Sequence, residues 1–238
     1  ATTMAEAHNL YGLVEARATW DGLRAAKPDE RPFILTRAGY AGIQRYAAVW
    51  TGDAPSRWET LRETVPMLAG LGLSGVPFVG SDVGGYGGAA TPELYARWMA
   101  LGSISPFFRV HTMQSGARQE PWRFGQEVED LSRELIDARY RLLPYLYSLM
   151  EEASRTGAPA LRPLLYDFPS DATAVGVGDQ LLLGPGLLYA PVLEAGAVER
   201  SVYLPAGRWF ECRSGAVVEG PATVTRTVTL AALPCFVR

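Results

Sequence analysis

Tyr46-Ala-Ala-Val-Trp-Thr-Gly-Asp53 is the stretch that decides the fold. A short β-prone apolar burst ends in Gly-Asp, and a helical pattern begins almost at once after it. Ser56-Arg-Trp-Glu59 fits a capping box, in which the Ser and Glu side chains reciprocally satisfy helix-start N–H groups. The helix it opens carries Leu61, Val65 and Leu68 at helical spacing. Strand, acidic turn and helix in that order make one βα unit.

The same unit recurs on both sides. Upstream, Leu10, Val14, Ala18 and Leu23 mark a first helix over about residues 5–25, and Pro32-Phe-Ile-Leu-Thr-Arg37 reads as a strand. Downstream, Gly75-Val-Pro-Phe-Val-Gly-Ser-Asp82 is strand-like and runs into a glycine-rich loop. Thr91-Pro92 then supplies an N-cap with Pro at the first helical position, ahead of Leu94, Trp98 and Leu101. The fourth burst is Ile104-Ser-Pro-Phe-Phe-Arg-Val-His111. After a loop, Leu131, Leu135, Ala138, Leu142 and Leu146 predict a long helix to about Ala153, kinked near Pro144. Strands alternating with helices imply a parallel sheet. About four βα units make half of a (β/α)8 barrel, so the fold class is α/β over residues 1–158. From residue 159 the texture changes to short β-type runs between Gly/Pro turns, which predicts a small antiparallel domain of the β-sandwich type over 159–238.

Composition sets the outer limits. The chain has 238 residues, 48% hydrophobic and 20% charged, enough for a buried core and without a disorder signature. Net charge is -3 and no Lys/Arg cluster forms a stripe, which argues against nucleic acid as a partner. Apolar runs such as Gln180-Leu-Leu-Leu-Gly-Pro-Gly-Leu-Leu-Tyr-Ala-Pro-Val192 are broken by Gly and Pro and are too short to span a bilayer, so no membrane partner is expected. Cys212 and Cys235 do not make a disulfide framework; one bridge is open to them, and two buried thiols is the favoured reading. His8 and His111 share no ligand spacing with each other or the cysteines, so neither a metal nor another cofactor is expected. Gly70-Leu-Gly-Leu-Ser-Gly75 fits a dinucleotide fingerprint in letters only, because it follows a helix and leads into a strand; it reads as a helix terminator. The N-terminus has neither the basic nor the apolar region of a signal peptide and no initiator Met, which fits a chain cut from something longer, with a cytoplasmic parent the expectation.

The chemistry lies where the strands end. Arg37, Asp53, Asp82 and the Arg109/His111 pair each close an apolar burst. In a (β/α)8 barrel the active site is built at that C-terminal edge. Taken singly, each residue has an ordinary reading. Arg37 suits a surface ion pair, Asp53 and Asp82 suit turns, His111 a satisfied core histidine, and Trp50 and Trp58 the core. The set decides, since independent turn residues need not share one edge.

At Thr36-Arg-Ala-Gly-Tyr-Ala-Gly-Ile-Gln-Arg-Tyr-Ala-Ala-Val-Trp-Thr-Gly-Asp53 the chain closely resembles glycoside hydrolase family 31, which holds α-glucosidases, α-xylosidases, sulfoquinovosidases and α-glucan lyases. The resemblance continues through Gly75–Tyr86, Pro106–His111, Gln119-Glu-Pro-Trp122, Arg139–Tyr147, Leu183–Val192 and Tyr203–Trp209, covering nearly the whole chain. It implies that Asp53 is the general acid/base of a retaining, exo-acting α-glycosidase. It further implies that Arg37 and His111 bind hydroxyls of the sugar being cleaved, that Asp82 and Arg109 shape the pocket, and that Trp50 and Tyr86 line it. Retaining chemistry needs two carboxyl groups about 5–5.5 Å apart. The family's nucleophile motif, of the type W-x-D-M-N-E, lies upstream of these segments and has no counterpart here. The implied partners are therefore an α-linked oligosaccharide or α-glycoside and the N-terminal half of the same enzyme, and the expectation is an inactive isolated chain. The rival readings are an inactive sugar-binding or assembly fragment, or a related α-xylosidase, sulfoquinovosidase or α-glucan lyase. Two departures stand out: Ala54 follows Asp53 where many relatives have Asn, and Val110 separates Arg109 from His111 where Asn is common.

Overall fold

In a computed structural model, which describes residues 3–230 and 232–238, the first half of the chain forms parallel strands, in a three-stranded and a two-stranded sheet, that alternate with helices. Its long helices are α1 (Tyr11–Ala26), α2 (Trp58–Leu73), α3 (Pro92–Ile104) and α4 (Gln126–Thr156). The strands are β1 (Leu35–Thr36), β2 (Ala48–Trp50), β3 (Val79–Gly80), β4 (Asp82–Val83) and β5 (Arg109–Val110). β1 pairs with β2, β2 with β3, and β4 with β5, all parallel. β3 and β4 are one strand divided at Ser81, whose hydroxyl accepts a 2.9 Å hydrogen bond from the buried Trp98 indole N–H. The four expected strands are thus present and parallel, with only the short turn Ile43–Arg45 standing as a helix between β1 and β2.

The helix boundaries follow from local chemistry. Thr91 caps α3, its hydroxyl accepting from the Leu94 N–H at 3.2 Å, with Pro92 at the first helical position. α2 ends at the Gly70–Gly75 segment in a Schellman motif: Val76 N–H donates to Leu71 O and Gly75 N–H to Gly72 O, both at 3.0 Å. Gly75 sits at φ +83°, a conformation that costs glycine nothing. α4 continues as one 31-residue element through Pro144, whose ring removes a single backbone donor.

The capping box expected at Ser56–Glu59 does not form. Arg57 takes the cap position without a side-chain bond, and α2 starts at Trp58. Ser56 is recruited elsewhere: its N–H donates to Gly87 O at 2.7 Å, which ties the segment after Asp53 to the glycine-rich loop, and its hydroxyl makes no hydrogen bond to the helix.

The second half holds β6 (Leu161–Arg162), β7 (Leu181–Leu183), β8 (Leu187–Tyr189), β9 (Glu199–Glu211), β10 (Val217–Thr227) and β11 (Cys235–Val237). They form an antiparallel sheet in the order β10-β9-β11-β8-β7-β6. Its second layer comes from the short helices Leu164–Asp167 and Ala172–Gly176, whose Leu164 and Ala174 bury against Leu182, Leu188, Trp209 and Phe236. Leu181, Leu183 and Tyr189 join the barrel core instead, packing with Leu61, Leu68 and Leu149. α3 is buried at every position from Leu94 to Ile104, and its Arg97 guanidinium donates to Thr229 O and Ala197 O of the second half. The expected pair of thiols is corrected: Cys212 and Cys235 are joined as a disulfide. β11 pairs beside the end of β9, which brings the two Cα atoms to 5.4 Å and lets Cys212 N–H donate to Cys235 O at 2.9 Å.

Candidate active site

Each predicted site residue stands at the C-terminal edge of the parallel sheet. Arg37 follows β1, Trp50 ends β2 with Asp53 just beyond it, Asp82 opens β4, and Arg109 opens β5 with His111 past its end. Tyr86 is on the loop after β4. The shared edge follows from the parallel register, which sets Asp82 directly beside Arg109.

The side chains then fall into three linked pairs. Arg37 Nη1 donates to Asp53 Oδ2 at 3.2 Å, with both groups open to solvent. The Arg37 stem lies over Gly52, where any Cβ would come within 3.1 Å of it. Arg109 Nε donates to Asp82 Oδ1 at 2.5 Å, and the Asp82 side chain is fully buried. The Arg109 guanidinium also covers the Trp50 ring, 5.1 Å from its centroid, and the Phe107 ring, at 5.3 Å. Tyr86 and His111 face each other with ring centroids 5.4 Å apart.

Burial pushes the Asp82 carboxyl above its ordinary range, while its hydrogen bond and ion pair with Arg109 pull the other way; His111 also lowers it and Asp53 raises it. The four groups therefore share one field. Of the ordinary readings weighed for these residues, the surface ion pair holds for Arg37 and the core reading fails for His111, which is exposed. Among the described residues no cluster of three or more metal-ligating side chains is present, and no helix is long and apolar enough to cross a membrane. Phe107, under Arg109, escaped the sequence reading because it looks like one more apolar strand residue. Gln119 escaped too, although it stood in a quoted motif; its place beneath the Tyr86 loop is a product of long-range packing.

The chain matches the model of the glycosyl hydrolases family 31 TIM-barrel domain over residues 1–149 and that of the family's C-terminal domain over residues 157–238. It belongs to glycosyl hydrolase family 31. Alpha-glucosidase 2 of Bacillus thermoamyloliquefaciens is 44% identical over 99% of this chain, and human neutral alpha-glucosidase AB is 43% identical over 98% of it. The family 31 chain spans only 30% and 25% of those two relatives' own lengths. A Flavobacterium johnsoniae family 31 dextranase, solved with isomaltotriose, superposes with TM-score 0.94 at 35% identity, covering 99% of this chain and 30% of its own. A family 31 alpha-xylosidase from a soil metagenome, solved with xylose, gives 0.89 at 34% identity over 94% of this chain and 36% of its own.

Proposed function

We propose that this chain is the acid/base-bearing second half of the catalytic barrel of a retaining, exo-acting α-glucosidase, with the division from the β domain at residues 158/159. The observation that carries the reading is the convergence of Arg37, Trp50, Asp53, Asp82, Tyr86, Arg109 and His111 on one sheet edge. Asp53 is the exposed carboxyl of that set; its Oδ2 accepts from Arg37, and its exposure lets it meet a glycosidic oxygen. In the first step it gives its proton to the leaving oxygen; in the second its carboxylate takes one from water. Arg37 and His111 hold sugar hydroxyls, and the Asp82–Arg109 pair fixes the floor under Trp50.

Asp82 is not the nucleophile. Its side chain is buried and engaged by Arg109, so it has no open path to an anomeric carbon. The nucleophile comes instead from the upstream half. Asp53 must carry a proton when substrate binds, as protonation of the leaving oxygen requires.

The seat for that half is an open groove of about 1070 Å³, floored by Phe33, Ala48, Pro77 and Phe78 and walled by Tyr140, Leu143 and Tyr147 of α4. Phe33, Tyr140 and Tyr147 are each more than half exposed, and among the described residues β1 and β5 have no strand on their outer edges. A half-barrel leaves these edges to be covered by the remaining strands.

The test is hydrolysis of 4-nitrophenyl α-glucoside by this chain alone and with the upstream half added, with 4-nitrophenyl α-xyloside as the competing substrate. We expect no turnover alone and recovery on mixing. Turnover by the chain alone would remove the claim of a missing nucleophile. In the assembled enzyme, Asp53→Asn lowers turnover of an unactivated α-glucoside roughly 10²–10⁴-fold with little change in binding; retained turnover assigns the proton transfer to another group.

A further inference from the structure

The loop that carries Tyr86 is held from below by a residue outside the pocket. Gln119 is 2% exposed, and its Nε2 donates to Gly85 O at 2.6 Å. Its Oε1 is turned to the Gly84 Cα, where a Cβ would stand 1.9 Å from it. Gly84 and Gly85 both lie at φ +84°, so the turn is one that only glycine adopts without strain; locally it is closed by Gly85 N–H donating to Asp82 O at 3.0 Å.

From that turn, the Tyr86 backbone reaches both neighbouring strand ends. Tyr86 N–H donates to Ala54 O at 2.7 Å, and Gly87 N–H donates to the same oxygen at 3.2 Å, one residue past Asp53. Tyr86 O accepts from the Thr112 hydroxyl and from Met113 N–H, both at 3.1 Å, one and two residues past His111. The Gly84 position also meets the Tyr95 ring, which stacks on Phe124 with centroids 4.2 Å apart and backs the turn from the helix side.

We propose that Gln119 is a positioning residue for the reaction. Through the Gly84–Gly85 turn it sets the height of Tyr86, and through the Tyr86 backbone it sets the spacing between the Asp53 and His111 loops. This rests on the α-glucosidase reading for its kinetic consequence and not for its structural one.

The experiment compares wild type, Gln119→Leu and Gln119→Glu in the full-length protein with 4-nitrophenyl α-glucoside. Gln119→Leu removes the donor and raises KM about tenfold, with kcat little changed. Gln119→Glu keeps the shape and places a carboxylate against Gly85 O. Its KM is raised at neutral pH and falls back toward wild type as acid protonates the carboxyl and restores a donor. A KM ratio of Gln119→Glu to wild type that is flat with pH overturns the proposal, as does an unchanged KM in both variants. Amide protection factors at Tyr86 and Gly87 give a reading independent of turnover: lower in Gln119→Leu, and lower in Gln119→Glu only near neutral pH. Unchanged protection overturns the positioning role even if the protein hydrolyses nothing, whereas lowered protection in an inactive wild type counts against the α-glucosidase reading alone.

Discussion

The two halves of the chain solve opposite problems. In the β domain, β9 and β10 run 13 and 11 residues, and Trp209, Phe236, Leu204 and Leu182 are completely buried between the sheet and its covering helices. In the barrel half the strands are two or three residues long, their ends carry charge, and large aromatic side chains face outward. One region closes a core of its own around Trp209, lends Leu181, Leu183 and Tyr189 to the barrel core, and carries no candidate chemistry. The other carries all of the candidate chemistry on a core that stays open along the groove. Stability and function are therefore separable along the sequence, and substitutions in the two regions test the separation.

The largest stability effect belongs to the β domain. Trp209 fills the centre of its core, with its indole N–H donating to Pro205 O at 2.8 Å. Trp209→Ala leaves a cavity and an unpaired carbonyl and costs about 3–5 kcal/mol, read as a lower urea midpoint. Trp209 belongs to a different core cluster from the residues under the barrel site, so amide protection at Tyr86 and Gly87 stays near wild type below the transition. A loss of both together would show that the two regions unfold as one body and break the comparison.

Arg109→Met is next. It strips the buried Asp82 of its cation and costs about 3 kcal/mol near neutral pH. The Asp82 carboxyl is already raised by burial, and without Arg109 it rises further. A carboxyl whose folded value exceeds its unfolded one binds protons more readily in the folded state, so the deficit is full above the folded value and fades as pH falls toward the ordinary carboxylate range. Urea unfolding between neutral pH and about pH 4 measures this, with the ordinary value of about 3.9 marking the lower end. Adding Asp82→Asn removes the pH dependence; a deficit that stays constant on acidification would show that Asp82 is not the group responsible.

The same division explains what the sequence made legible. The βα order, the Thr91 cap and the Gly70–Gly75 terminator are local, and each is set by residues within one turn of the feature it controls. The shared edge of Arg37, Asp53, Asp82 and Arg109 was legible because parallel strands put their C-terminal ends together once the alternation is recognised. The Ser56 cap misled because a long-range partner, Gly87, displaced the local one. The disulfide and the Gln119 contact were hidden for a similar reason: each depends on which distant segments become neighbours, and spacing along the chain does not encode that.

The smallest effect lies on the outward face of the barrel half. Tyr140 and Tyr147 occupy one stripe of α4, 69% and 62% exposed, with Leu143 between them. Since these side chains bury little in this chain, Tyr140→Ser with Tyr147→Ser changes its stability by less than about 0.5 kcal/mol per site. Association behaves differently. An apolar stripe beside unpaired strand edges favours contact with whatever covers it. Sedimentation of the double variant should therefore show less self-association than wild type, and titration with the upstream half should show weaker recovery of turnover at equal concentrations. If the variant instead melts several degrees lower while binding the upstream half as wild type does, the stripe is internal structure, and the open face of the barrel lies elsewhere.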